Sequence, residues 1–193
     1  MKKFNKKDIF TIPNLISYLR IILIPVFCYI YITAEGPKDY MIATAVVLFS
    51  SFTDMFDGMI ARKFNMVTDL GKVLDPVSDK LTHAALAVCL ATRYPLMWAL
   101  LLLMAVKEGY MAIMGMKFLK KGKMMDGAMW FGKVCTATLF IGMFSLFLFY
   151  DLPVKFANGI IIIMMAVMIF TLCKYIPFYN NMKKEVEREE NSK

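Results

Sequence analysis

Residues 41–62 read MIATAVVLFSSFTDMFDGMIAR, and residues 71–91 read GKVLDPVSDKLTHAALAVCLA. Each is an apolar run of about the 20 residues that a helix needs to cross a bilayer. Each also carries a pair of aspartates towards one end. Asp54 and Asp57 stand at i and i+3, and Asp75 and Asp79 at i and i+4, so each pair is expected on one face of its helix. A strand reading fails, because a membrane barrel needs alternating segments of about ten residues and these runs do not alternate. Two helices joined by a short loop around Asn65 would pack antiparallel and gather four carboxylates at one margin of the membrane.

Further apolar runs lie on both sides. The predicted spans are 15–34, 40–62, 72–92, 95–117, 127–150 and 155–177, with turn signals at Glu35-Gly36-Pro37, Asn65, Tyr94-Pro95, Gly122 and Leu152-Pro153. The expected fold is therefore all-α, a polytopic membrane protein with about six transmembrane helices, forming a single domain over residues 1–193. Composition agrees: 59% of the residues are hydrophobic, where soluble chains run nearer half. Residues 1–14 read as a juxtamembrane segment, in which Lys2, Lys3, Lys6 and Lys7 mix with Phe4, Ile9 and Phe10. That pattern suits an amphipathic helix on the membrane surface or a basic tail. Residues 178–193 read as a charged cytoplasmic tail, with Lys183 to Lys193 expected as a frayed helix end. No small-residue cleavage site follows the run that begins near Leu15, so it is expected to be a span and not a cleavable signal.

The net charge of +8 lies mostly at the ends of apolar runs, which points to topology and anionic lipid, with no nucleic acid expected as a partner. One side carries the N-terminal lysines, Arg62, Lys63, Lys117, Lys120, Lys121, Lys123, Lys183, Lys184 and Arg188; the other carries only Lys38, Arg93 and Lys155. The richer side is expected to be cytoplasmic, with both termini on it. Cys28, Cys89, Cys135 and Cys173 sit inside apolar runs without metal-binding spacing and read as buried thiols.

Four carboxylates at close quarters repel one another, and acids at membrane depth are costly unless compensated. Arg62 and Lys80 would neutralise part of the charge, and two divalent cations all of it. Oxygen donors favour a hard ion, Mg²⁺ or Mn²⁺, and a pair of such ions about 3.5–4 Å apart can clamp a transferring phosphoryl group. Gly58 and Ala61, one turn apart, leave room for a ligand against the helix backbone; Gly71 suits a tight helix start or close packing; Arg62 is a planar fork for phosphate. Two other readings of the same acids stay open: a structural set of Asp–Arg and Asp–Lys pairs, and a cation or proton transporter.

Asp54, Asp57, Gly58, Ala61, Arg62, Gly71, Asp75 and Asp79 together spell D-x2-D-G-x2-A-R-x8-G-x3-D-x3-D. This pattern resembles the signature of the CDP-alcohol phosphotransferases at every fixed position. The resemblance implies transfer of the phosphatidyl group of a CDP-linked lipid to an alcohol, with release of CMP. It implies Asp54, Asp57 and Asp75 as metal ligands, Asp79 as both ligand and catalytic base, Arg62 on the pyrophosphate, Gly58 and Ala61 beside the cytidine, and Gly71 with them in the CDP-lipid-binding set. It also implies a multi-pass protein of a bacterial-type plasma (inner) membrane with its active site facing the cytoplasm, and a homodimer is common in the family.

Within the family, Ile12-Pro13-Asn14-Leu15-Ile16-Ser17-Tyr18-Leu19-Arg20 followed by Ile24-Pro25 looks like the start of the phosphatidylglycerolphosphate synthases, as does Gly132-Lys133 followed by Thr136. This likeness implies CDP-diacylglycerol as donor and a small phosphorylated alcohol, glycerol 3-phosphate, as acceptor. Asn14 and Arg20 would then contact donor phosphates or cytidine, and Lys107 and Lys133 the acceptor phosphate. Lys107 also reads as a lysine snorkelling towards the membrane surface. Ser17 stands where the group usually has Thr, Lys107-Glu108 where it has Arg-Glu, and Cys135 where it has a second Lys. The weaker cation set raises the family's cardiolipin synthases, whose acceptor is phosphatidylglycerol, as the alternative. His83 reads as a packing or hydrogen-bonding residue, Asp69 as a cap, and Trp98 and Trp130 as interfacial anchors.

Overall fold

The computed structural model of the chain describes residues 11–63, 68, 70–120 and 129–191; the side chains of residues 12, 13, 54–63, 72, 73, 120, 185, 187 and 189–191 lie outside the description. The proposed surface segment over residues 1–10 and the expected cap at Asp69 also lie outside the described residues. Among the described residues the chain forms six helices: α1 Ile12–Ile32, α2 Pro37–Lys63, α3 Gly71–Ala91, α4 Met97–Lys120, α5 Trp130–Leu148 and α6 Val154–Asn191. No strand is found among them.

Among the described residues, four helices are long and apolar enough to cross a membrane, over Asn14–Ile32, Met97–Leu119, Trp130–Leu148 and Val154–Lys184. The other two, α2 and α3, bear the acidic pairs together with Lys38, Asp39, Arg62 and Lys63 on α2 and Lys72 and Lys80 on α3. At 27 and 21 residues they have the length of a span but not the uniform apolarity. Large apolar side chains stand exposed along the helices, Ile22, Met41, Leu102, Ile141 and Phe156 among them. Surface of this kind fits lipid as its solvent, and the chain is a multi-pass membrane protein. Trp98 and Trp130 are exposed at the first turns of α4 and α5, where interfacial anchors belong.

The chain divides into two compact units. The first comprises residues 1–93 with 143–151. In it α1 packs against both α2 and α3, around Phe27, Ala43, Val47, Leu86 and Leu90. Phe147, from the end of α5, meets Phe27 edge-on at 6.2 Å and stacks on Tyr31 at 4.3 Å. Its carbonyl accepts a 3.2 Å hydrogen bond from the Thr44 hydroxyl.

The second unit comprises residues 94–142 with 152–193, and in it α4 packs against α6. An aromatic cluster of Phe118, Phe131, Tyr175 and Tyr179, closed by Val186, holds the ends of these helices. The last predicted span stops at 177, yet α6 runs on to Asn191 through Pro177. An interior proline removes one backbone hydrogen bond and costs about 3 kcal/mol. Tyr179 and Val186, both buried beyond the proline, offset that loss by anchoring the continuation of the helix. Much of the charged tail is therefore helical.

Candidate active site

On α1, Asn14, Ser17 and Arg20 follow one another at intervals of three residues and so share a face. All three are buried, at 0%, 0% and 4% exposure. Polar side chains hidden on an otherwise apolar helix must find partners, and α3 supplies them. The Ser17 hydroxyl donates to Asp75 Oδ1 at 2.7 Å. The Arg20 guanidinium forms an ion pair with Asp79 Oδ1. Nearer the helix starts, the Asn14 side-chain amide donates to the Thr68 hydroxyl at 3.2 Å. Thr68 Oγ1 in turn accepts the Gly71 backbone N–H at 3.0 Å, taking up one of the donors left unpaired at the start of α3.

The order of these contacts fixes a direction. Asn14 meets the Gly71 end, Ser17 meets Asp75 and Arg20 meets Asp79, so α1 and α3 run parallel. A row spaced by three residues on α1 thus lies along a row spaced by four on α3. Each step rises about 4.5 Å on α1 and about 6 Å on α3, and the long Arg20 side chain takes up the growing offset. Gly71 makes the close start of this ladder. A Cβ there would lie 2.8 Å from Asn14 Oδ1 and 3.1 Å from Thr68 Oγ1.

Asp54, Asp57, Gly58, Ala61 and Arg62 lie in the C-terminal half of α2, which is helical through Lys63. Their side chains are outside the described residues, and so is the expected meeting of all four carboxylates. Among the described residues, no group of three or more His, Cys, Asp and Glu is gathered for a metal ion. What the described part of the site offers is a pair of carboxylates four residues apart on one helix face, each with one oxygen held from α1. The Asp79 side chain remains 45% exposed. Carboxylate donors of this kind fit a hard divalent cation such as Mg²⁺ or Mn²⁺.

Asn14 and Arg20, read from the sequence as ligand-binding, are thus engaged within the protein, on Thr68 and Asp79. Ser17 and Thr68 were not singled out as site residues. The three-residue spacing of Ser17 with Asn14 and Arg20 was the available signal, but its partner depends on how α1 sits against α3. In the second unit, Lys107 is buried on α4 and bonds the neighbouring Glu108 at 2.8 Å. Lys133 is exposed in the first turn of α5. Next to it, Gly132 lies against the Tyr175 hydroxyl, so closely that a Cβ there would clash with that oxygen unless the tyrosine shifted.

Fold and site together define a multi-pass membrane protein with paired acids held at the start of a helix. The chain belongs to the CDP-alcohol phosphatidyltransferase family, whose pattern matches residues 10–173. It is 29% identical over 173 residues to the CDP-diacylglycerol–glycerol-3-phosphate 3-phosphatidyltransferase of Salmonella paratyphi A, covering 86% of this chain and 93% of that one. A protein of the same name from Pseudomonas fluorescens is 40% identical over 87 residues, 45% of this chain and 44% of the relative. A cardiolipin synthase (CMP-forming)/mitochondrial hydrolase fusion protein of Schizosaccharomyces pombe is 43% identical over 89 residues, 46% of this chain and 14% of the relative. The chain therefore spans less than half the length of the latter two relatives.

Proposed function

We propose that this protein transfers the phosphatidyl group of CDP-diacylglycerol to sn-glycerol 3-phosphate, releasing CMP and forming phosphatidylglycerophosphate in phospholipid biosynthesis. The observation that carries the reading is the complete aspartate signature on α2 and α3, with Asp75 and Asp79 held in place by Ser17 and Arg20. The Salmonella relative, matched over nearly its whole length, supports the choice of acceptor.

In this mechanism Asp54, Asp57, Asp75 and Asp79 would hold two divalent ions, Mg²⁺ or Mn²⁺. When bound, such ions draw charge from the pyrophosphate of the donor and ease departure of CMP. Asp79 takes the proton of the acceptor hydroxyl on the oxygen not paired with Arg20 while the acceptor oxygen attacks the β-phosphorus. The new P–O bond forms as the bond to CMP breaks. Arg62 binds the pyrophosphate, and Gly58 and Ala61 leave room for the cytidine beside α2. Arg20 holds Asp79 and, with Asn14, borders the donor side. Lys107 and Lys133 bind the phosphate of the acceptor. The site faces the cytoplasm, where the water-soluble acceptor is found, and six spans return both termini to that side.

A second reading is cardiolipin synthesis with phosphatidylglycerol as acceptor. It is favoured by the Schizosaccharomyces relative and by Lys107 and Cys135, which stand in place of stronger or additional cations. Purified protein given radiolabelled CDP-diacylglycerol, Mg²⁺ or Mn²⁺, and each acceptor in turn separates the two. Phosphatidylglycerophosphate is the expected product. Turnover with phosphatidylglycerol alone would overturn the first reading in favour of the second.

A further inference from the structure

We propose that Ser17 is a positioning residue for divalent-cation binding: its hydroxyl fixes the carboxylate of Asp75 so that the second oxygen faces the cation. This rests on the reading of Asp75 as a metal ligand. Ser17 is fully buried, and its Oγ donates to Asp75 Oδ1 at 2.7 Å. A hydrogen bond to a charged acceptor of this length orients as well as stabilises. The last torsion of an aspartate is otherwise broad, so a carboxylate without that donor samples many orientations. The neighbouring hydroxyl does not duplicate the contact, since Ser78 Oγ donates to the Asp75 backbone carbonyl at 2.9 Å. Asn14, one step away on α1, is engaged with Thr68.

The same device recurs one step along, where Arg20 occupies Oδ1 of Asp79. Thus α1 engages one oxygen of each acid. Partners that orient metal ligands contribute about 10–100-fold to metal affinity. Ser17 is the cleaner of the two to test, because Arg20 also borders the donor lipid and its loss would mix two effects.

The test is Mn²⁺ binding to the purified full chain in detergent, read by electron paramagnetic resonance of free Mn²⁺, with the rise in thermal midpoint on adding Mn²⁺ as a second readout. Four proteins suffice: wild type, Ser17→Ala, Ser17→Thr and Ser17→Val. Thr keeps the hydroxyl, and Val has nearly the shape of Thr without it. Ser17→Ala and Ser17→Val are expected to weaken Mn²⁺ binding about 10–100-fold, and Ser17→Thr to bind like wild type. Should Ser17→Ala not fold, the Thr and Val pair decides the question by itself. Equal Mn²⁺ affinity in Thr and Val variants would overturn the proposal while leaving the metal site standing. No Mn²⁺ binding by wild type would overturn the ligand reading of Asp75 and the positioning role with it.

Discussion

Asp79 meets Arg20 through one oxygen and keeps nearly half of its side chain exposed, an arrangement suited to a base that is oriented but reachable. Asp79→Asn retains the size and an acceptor for Arg20 but cannot take up the proton. CMP release is expected to fall by at least about 10²-fold, with the helical circular dichroism spectrum unchanged; wild-type turnover in this variant would remove Asp79 from the chemistry. Gly71→Ala tests the start of the ladder. Its Cβ would sit 2.8 Å from Asn14 Oδ1, and overpacking of this kind costs about 1–3 kcal/mol. A lowered thermal midpoint in detergent is the expected result. The aspartates and glycines of the signature were legible in the sequence because their spacing is a property of single helices. The partners of Asp75 and Asp79 were not, because Ser17 and Arg20 reach them only through the register of α1 on α3, which no local pattern encodes.

The first five helices fall within a few residues of their expected bounds, since apolar runs and turn signals such as Glu35-Gly36-Pro37 and Tyr94-Pro95 mark where backbone groups leave the helix. The exception is α6. The sequence marks only a frayed helix end in the tail; the unbroken run past Pro177 is anchored by Tyr179 and Val186 in the aromatic cluster, a tertiary gain that no local pattern encodes. The approach of α5 to α6 yields a sharper test. Gly132→Ala would drive a Cβ into the Tyr175 hydroxyl, whereas the ring carbon Cζ, 3.5 Å from that Cβ, makes ordinary contact. Gly132→Ala alone is expected to destabilise by about 1–3 kcal/mol. Adding Tyr175→Phe should recover most of it, as a double-mutant cycle of thermal unfolding would reveal. Simple additivity of the two changes would contradict the close approach.

The helices expose large apolar side chains suited to lipid, and Asp75 and Asp79 lie within the first unit. The chain's basic residues are spread unequally over the two sides of the predicted spans, and the proposed orientation rests on that bias. Cysteines introduced singly near residue 121 and near residue 189, in a background lacking the native four, are expected to react with an impermeant thiol reagent only after the membrane is opened from the cytoplasmic side. Labelling of either in intact cells would contradict the proposed topology. The central claim is that the aspartate signature performs metal-dependent phosphatidyl transfer to glycerol 3-phosphate. Its most direct test is CMP release by the purified protein from radiolabelled CDP-diacylglycerol. The account predicts release that requires both sn-glycerol 3-phosphate and Mg²⁺ or Mn²⁺, and that chelation abolishes; no release with any acceptor, or release indifferent to chelation, would contradict it.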